Sequence, residues 1–285
     1  MDVDAQVAGA ITGWFRDLAG QLLRPATDAL AQLVFQTPRF DRLPEVAQSW
    51  SIVRASTDSL LVLALVVAGV LVMASGTFES RYTAKQLVPR VALAAVSSNA
   101  SLALCGILID LDNALVSSIL GPDTGEHVLG ALTSMVLSGE PGQQLIGILV
   151  GLASEALAML LVVLYIGRDV VLLLMTVLAP LALATYALPQ TDGVARLWAR
   201  LFASLLFVQV VQAVLIAVGA SLLRNTNWLG GPVSELTSGL VLVTLLYVLF
   251  KLPFAAYQYA FRQPVQERAV LNTVVVAARA AAARV

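Results

Sequence analysis

The side chains best suited to chemistry in this chain are few, and they sit among residues that have none to offer. Ser98, Asn99, Asp110, Asp112 and Asn113 interrupt a run of Ala, Val, Leu and Ile; Glu155, Arg168, Asp169, Gln209 and Gln212 interrupt two others. Ser98 and Asn99, Cys105 and Gly106, then Asp112 and Asn113 recur at heptad spacing, so a continuous helix gathers them on one face. Ionisable and amide groups in such surroundings face a bundle interior or a water-filled cavity rather than lipid. Two readings fit: the polar lining of a passage, or hydrogen bonding between helices with an Asp pair at the membrane edge. Glu155 follows Gly147 and Gly151 at four-residue steps, a spacing that lets helices approach closely and shields a carboxylate from lipid. Its expected partner is Arg168, in a structural ion pair, with a proton-coupling role as the rival reading. Gln209 and Gln212 are neighbours on one helical face and read as packing contacts between helices.

Much chemistry is excluded by what the sequence omits. Its single histidine, His127, rules out multi-histidine metal centres and most proton relays. The single cysteine, Cys105, forms no intrachain disulfide. No phosphate loop, nucleophile elbow, zinc signature or cofactor fingerprint is present. We expect no enzyme, no catalytic residue, no metal and no cofactor.

The elements that position these residues are apolar and long. Leu60–Ala74, Val91–Ile109, Leu145–Leu188, Leu201–Leu223 and Leu236–Phe250 are built mainly from Leu, Val, Ala, Ile and Gly. A helix needs about 20 such residues to cross a hydrocarbon core. The chain is 59% hydrophobic and 12% charged, with a mean hydropathy of +0.85. Too few charges remain to solvate a water-exposed surface of this size. The fold expected is all-α, a polytopic transmembrane helical bundle of five or six spans. The net charge of −1 carries no message about nucleic acid. The opening residues carry Asp2 and Asp4 and no base, unlike the basic start of a signal peptide, so insertion is expected to rely on the internal spans.

Three regions follow: 1–50, 51–261 and 262–285. In the first, Val3, Val7, Ile11, Trp14, Phe15, Leu18 and Leu22 repeat at helical spacing and predict an amphipathic helix for a membrane surface, a partner or the bundle itself. A second helix is expected over Thr27–Gln36, then a linker from Pro38 to Pro44. The middle region is the bundle. Its first span is predicted at Ser56–Gly76 and its second from Leu87, and Lys251 and Pro253 are expected to end its last. The third region is a basic tail helix with Arg268, Arg279 and Arg284.

Leu145–Leu188 is either a hairpin turning at Gly167 or one helix of about 66 Å, twice the hydrocarbon thickness. Cytoplasmic loops are enriched in Lys and Arg. Lys251, Arg262, Arg268, Arg279 and Arg284 therefore put the C-terminus in the cytoplasm, and residues 224–235 outside with Trp228 as an anchor. If Arg81, Lys85 and Arg90 share a side with Arg196 and Arg200, the single long helix satisfies the count and gives five spans with the N-terminus outside. The hairpin gives six with it inside.

Several strings resemble a known family. Tyr82-Thr83-Ala84-Lys85-Gln86-Leu87-Val88-Pro89-Arg90, Ser98-Asn99-Ala100-Ser101-Leu102, Leu104-Cys105-Gly106-Ile107-Leu108-Ile109-Asp110, Leu178-Ala179-Pro180-Leu181-Ala182-Leu183-Ala184 and Lys251-Leu252-Pro253 look like actinobacterial members of the TrbL-type conjugal-transfer family. The resemblance covers about residues 56–265. It implies a polytopic channel component of a type IV secretion system in the bacterial inner (cytoplasmic) membrane, with five or more helices. It also implies assembly with other secretion subunits, including ATPases, and offers no catalytic residues to carry over. A homo-oligomer is expected, with DNA or protein moved and not bound sequence-specifically. Two other classes compete: a small-molecule or ion transporter, which would be expected to show internal repeats that this sequence lacks, and a structural membrane anchor.

Overall fold

The structure, a computed structural model, describes residues 36–73, 84–121, 144–224 and 235–262. The amphipathic helices predicted within 1–35, the acidic 122–143 segment, Trp228 and the basic tail lie outside the described residues. Six α-helices account for nearly all of the rest: α1 (Pro44–Met73), α2 (Ala84–Asn99), α3 (Ser101–Leu120), α4 (Gln144–Ala184), α5 (Asp192–Arg224) and α6 (Glu235–Arg262). No strand occurs among the described residues.

The long apolar element is a single helix. α4 has 41 residues, about 62 Å at 1.5 Å per residue, and it runs through Gly167-Arg168-Asp169 without a turn. The bundle is strung along it in three buried clusters. Ala158, Leu161 and Tyr165 pack with Val116 and Leu120 of α3, Ala213 and Ile216 of α5, and Leu242 to Leu249 of α6. Leu172 and Ala179 pack with Cys105, Ile109 and Phe202, and with Phe40 and Val46 from before and within α1. Ala184 and Ala187 meet Ala94 of α2 and Leu61 of α1. Followed along α4, α3 and then α2 appear in reverse chain order, so together they make one antiparallel pass. α5 also runs antiparallel to α4, while α1 and α6 run parallel to it. The described chain therefore makes five passes.

The second pass is bent where a straight helix was expected. Ala100 sits at φ −90° and ψ 2° between α2 and α3. The cause is local. Asn99 Nδ2 donates to Ala95 O at 2.9 Å and Ser97 Oγ donates to Ala94 O at 3.3 Å, so side chains compete for the carbonyls of the last turn. Ala100 N still reaches Val96 O and Leu104 N reaches Ala100 O, both at 2.9 Å, which keeps the break a kink rather than a reversal. At the other end of α3, Gly121 takes φ +65° and its N–H closes on Ser117 O at 3.1 Å, a left-handed exit that glycine adopts at least cost.

Two further expectations are corrected. The first helix begins at Pro44, twelve positions before Ser56 and inside the segment assigned to the N-terminal region; the Pro38–Pro44 linker packs into the bundle. Pro253 does not end the last helix, because α6 continues to Arg262. Proline lacks the N–H that would bond the carbonyl four residues back, here Leu249 O. Gln212 Nε2 of α5 donates to that oxygen at 3.1 Å, so the proline costs α6 no unsatisfied group.

The outer surface is apolar. Val163, Phe207 and Ile107 are 68%, 66% and 64% exposed, the reverse of a water-soluble bundle and the surface that lipid requires. Among the described residues four helices are long and apolar enough to cross a membrane, in α1, α3, α4 and α5, and α6 carries the shorter apolar stretch Gly239–Ala255.

Candidate functional site

Polar side chains converge halfway along α4, beside a stretch of chain that is not helical. Arg168, 4% exposed, is at the centre. Its Nε donates to Leu205 O of α5 at 3.0 Å. Its Nη1 donates to Thr37 Oγ1 at 3.1 Å and to Asp169 Oδ1 at 3.2 Å. Its Nη2 lies 3.6 Å from Asp112 Oδ2 of α3. Two carboxylates thus share one guanidinium, deep in apolar surroundings where an unpaired charge is costly.

Thr37 belongs to the segment entering α1. Its hydroxyl accepts from Arg168 and donates to Gln209 Oε1 of α5 at 2.5 Å. Its backbone is held by Asn113 of α3, which accepts from Thr37 N at 2.8 Å and donates to Thr37 O at 2.9 Å. A primary amide presents the same donor and acceptor as a peptide, so Asn113 acts as the neighbouring strand that Thr37 lacks. Non-helical backbone at membrane depth is tolerated only where it is buried in protein or lines water; here Asn113 supplies that condition.

The rest of the segment lies in the same groove. Phe40, within the short 3-10 turn Phe40–Arg42, is buried. Arg39 pairs with Asp41 at 2.7 Å and with Asp110 of α3. The Arg39 guanidinium holds the Asp41 carboxyl below its ordinary range. Asp41 sits against Gly106 so closely that a β-carbon there would lie 2.8 Å from the Asp41 carboxyl carbon. Gly106 is the notch in α3 that receives the segment.

The sequence-predicted residues divide. Asp112, Asn113, Arg168, Asp169 and Gln209 come together in the clasp. Gln212 is buried on the same helix but serves the α6 carbonyl. Ser98 is buried and donates to Pro180 O of α4 at 3.0 Å. Asn99 is exposed and reaches Asp58 of α1 at 3.3 Å, because the kink turns it off the row. Asp110 is exposed and meets Arg39. The Glu155 side chain, the expected partner of Arg168, lies outside what the structure describes; its backbone is on the same continuous helix as Arg168, thirteen positions or about 20 Å away. Arg168 takes Asp112 and Asp169. Sequence reasoning missed Thr37, Arg39 and Asp41, whose only signal was an Arg and an Asp in a Pro-bounded stretch.

A second charged cluster marks one end of the bundle. Asp192, at the start of α5, meets Arg196 at 2.5 Å and Arg90 of α2 at 3.4 Å. The Arg90 guanidinium lies 5.1 Å over the Tyr186 ring. The start of α2 and the α4–α5 turn are therefore at the same end. Among the described residues no group of His, Cys, Asp and Glu has the makings of a metal site.

Residues 2–285 match a family model described as TrbL/VirB6 plasmid conjugal transfer like protein. The chain belongs to that family. No curated protein and no solved structure matches it. Membership in the TrbL/VirB6 family makes it a membrane-embedded subunit of conjugal-transfer, type IV secretion machinery, which works in company with other subunits of that machinery. The apolar outer surface of the described helices is what a membrane-embedded subunit requires.

Proposed function

We propose that this TrbL/VirB6-family protein is a channel or scaffold subunit of the bacterial inner (cytoplasmic) membrane, helping DNA or protein across while separate ATPases supply the energy. The observation that carries this reading is the Arg168 clasp: six polar side chains, from Thr37, α3, α4 and α5, buried in the middle of a lipid-facing bundle. The bundle needs no such group for stability, since apolar packing usually serves as well as a buried ion pair or better. Polar groups at membrane depth more often mark a pathway. The protein does no bond chemistry of its own, and the substrate is not read by sequence. A cavity of about 280 Å³ beside Arg168, lined by Leu164, Val171, Ser204, Val208, Pro253 and Phe254, is the size for a small molecule. A nucleic-acid strand needs either several copies around a shared path or an opening of the bundle.

The charged end supports an orientation. Arg90, Arg196 and Arg200 gather where α2 begins and α5 begins, and basic residues favour the cytoplasm. With five passes the C-terminus lies on that same side.

The test is a photo-crosslinking amino acid at Ser204, which lines the cavity, during active transfer. Capture of the transferred DNA or protein supports the channel. Normal transfer with only neighbouring subunits captured points to a scaffold. Uptake of a small molecule by the purified protein in vesicles would move the protein to the transporter class.

A further inference from the structure

We propose that residues 36–43 form a releasable strap that closes the polar interior of the bundle, and that transfer requires it to leave its groove. The inference rests on the channel reading above and adds a gate to it. Of the strap's eight residues only Thr37 and Phe40 are buried, while Gln36, Pro38, Arg42 and Leu43 are exposed. The strap therefore lies along a groove between α3, α4 and α5 with two side chains pinned inward. Under it are Asp112, Asn113, Arg168 and Gln209, which its departure would uncover.

The manner of attachment is what distinguishes a strap from a strut. A permanent support is best made by apolar packing, which has no alternative partner in water. Apart from Phe40, which packs in the cluster with Ile109, Leu172 and Phe202, this segment is instead fastened by groups that water replaces one for one. Thr37 Oγ1 accepts from Arg168 and donates to Gln209, as a water molecule does. Asn113 holds the Thr37 backbone by a donor and an acceptor that both hydrate readily. On the outer side, Arg39 bridges Asp41 to the exposed Asp110 of α3. Arg168 keeps Asp112 and Asp169 as ion partners when Thr37 withdraws, so no charge is stranded. The groove itself is shaped for the strap, since Gly106 leaves room for Asp41 where any side chain would collide. The strap is also the chain's link to residues 1–35, so whatever binds or moves that region acts on the groove directly.

The same geometry supplies the lock. A β-carbon at position 106 falls 2.8 Å from the Asp41 carboxyl carbon, and a disulfide places each β-carbon about 3 Å from the opposite sulfur. In a Cys105→Ser background, the pair Asp41→Cys and Gly106→Cys should oxidise in membranes without other change. The readouts are transfer, co-purification of the secretion subunits, and photo-capture of substrate at Ser204, each with oxidant and after reductant. The expected result is a drop in transfer of at least tenfold on oxidation. Substrate capture should be lost, assembly retained, and all restored by reductant, with neither single-cysteine variant responding to oxidant or reductant. Undiminished transfer and capture in the locked protein would overturn the strap and leave the channel standing. Absence of capture in locked and reduced protein alike, while transfer proceeds, would overturn the channel and the gate with it. Failure of the disulfide to form, or loss of assembly on oxidation, would show that the segment is not a strap docked at Gly106 or is a strut.

Discussion

Arg168 is the residue on which the interior depends, and its environment fixes what its removal does. Arg168→Met leaves Asp112 and Asp169 buried with no cation, a change that typically costs about 3–5 kcal/mol. We expect a large fall in the detergent unfolding temperature, with part of the loss recovered when Asp112→Asn and Asp169→Asn are added; a triple variant no better than the single one would refute the triad. Asn113→Ala strips the Thr37 backbone of both partners and should cost about 1–3 kcal/mol, whereas Asn113→Gln should not restore it because the longer chain misplaces the amide. Outside the spans, Asp41 is held ionised by Arg39, below its ordinary pKa near 3.9. A depressed carboxyl stabilises the folded state above its unfolded pKa and loses that contribution as pH falls through its folded value. The docked strap should therefore be insensitive to pH near neutrality and loosen only in acid below about pH 4, an acid limb that Asp41→Asn should flatten in the pH profile of emission from an environment-sensitive dye attached at Arg42→Cys in a Cys105→Ser background.

At the scale of elements, three described helices carry an interior proline, Pro89, Pro180 and Pro253, and at the one that the sequence alone reads as a stop the interruption is absorbed by a neighbour. Gln212 and Pro253 make the clearest case, since the side chain of α5 donates to the carbonyl that the proline of α6 releases. Gln212→Leu should destabilise by about 1–3 kcal/mol in the presence of Pro253. In a Pro253→Ala background Leu249 O regains its own helical donor, and the cost should shrink. A double-mutant cycle measures this coupling, and strict additivity would argue against it. The kink at Ala100 has a similar local cause. Asn99→Leu frees Ala95 O for the backbone and should straighten the second pass, read as a change in cysteine cross-linking between α2 and α4 rather than as a loss of insertion.

For the molecule as a whole, the five passes of the described residues and the basic end together predict a topology. With Cys105→Ser as background, a cysteine at Asn227 should react with an impermeant reagent in intact cells and one at Thr191 should not. Labelling of Thr191 and protection of Asn227 would invert the orientation. The length of α4, about twice the hydrocarbon thickness of about 30 Å, also means that part of the bundle stands clear of the bilayer.

Composition and run length determine the class of this protein by themselves, because the bilayer punishes every unsatisfied backbone group and leaves a chain this apolar only the helix. The same reasoning picks out Asp112, Asn113, Arg168, Asp169 and Gln209 without coordinates, since polar groups in such runs must find one another or water. What the sequence cannot decide is who pairs with whom. Periodicity relates residues within one helix, and it placed Asn99 on a row that the Ala100 kink breaks. The partner of Arg168 came from the register of α3 against α4, which depends on packing between helices and leaves no mark along either one. The strap is the clearest case. Pro38 to Pro44 reads as a linker because a single Phe among prolines and charges sets no period, and it is the pocket for Phe40, the notch at Gly106 and the amide of Asn113, far along the chain, that draw it into the bundle.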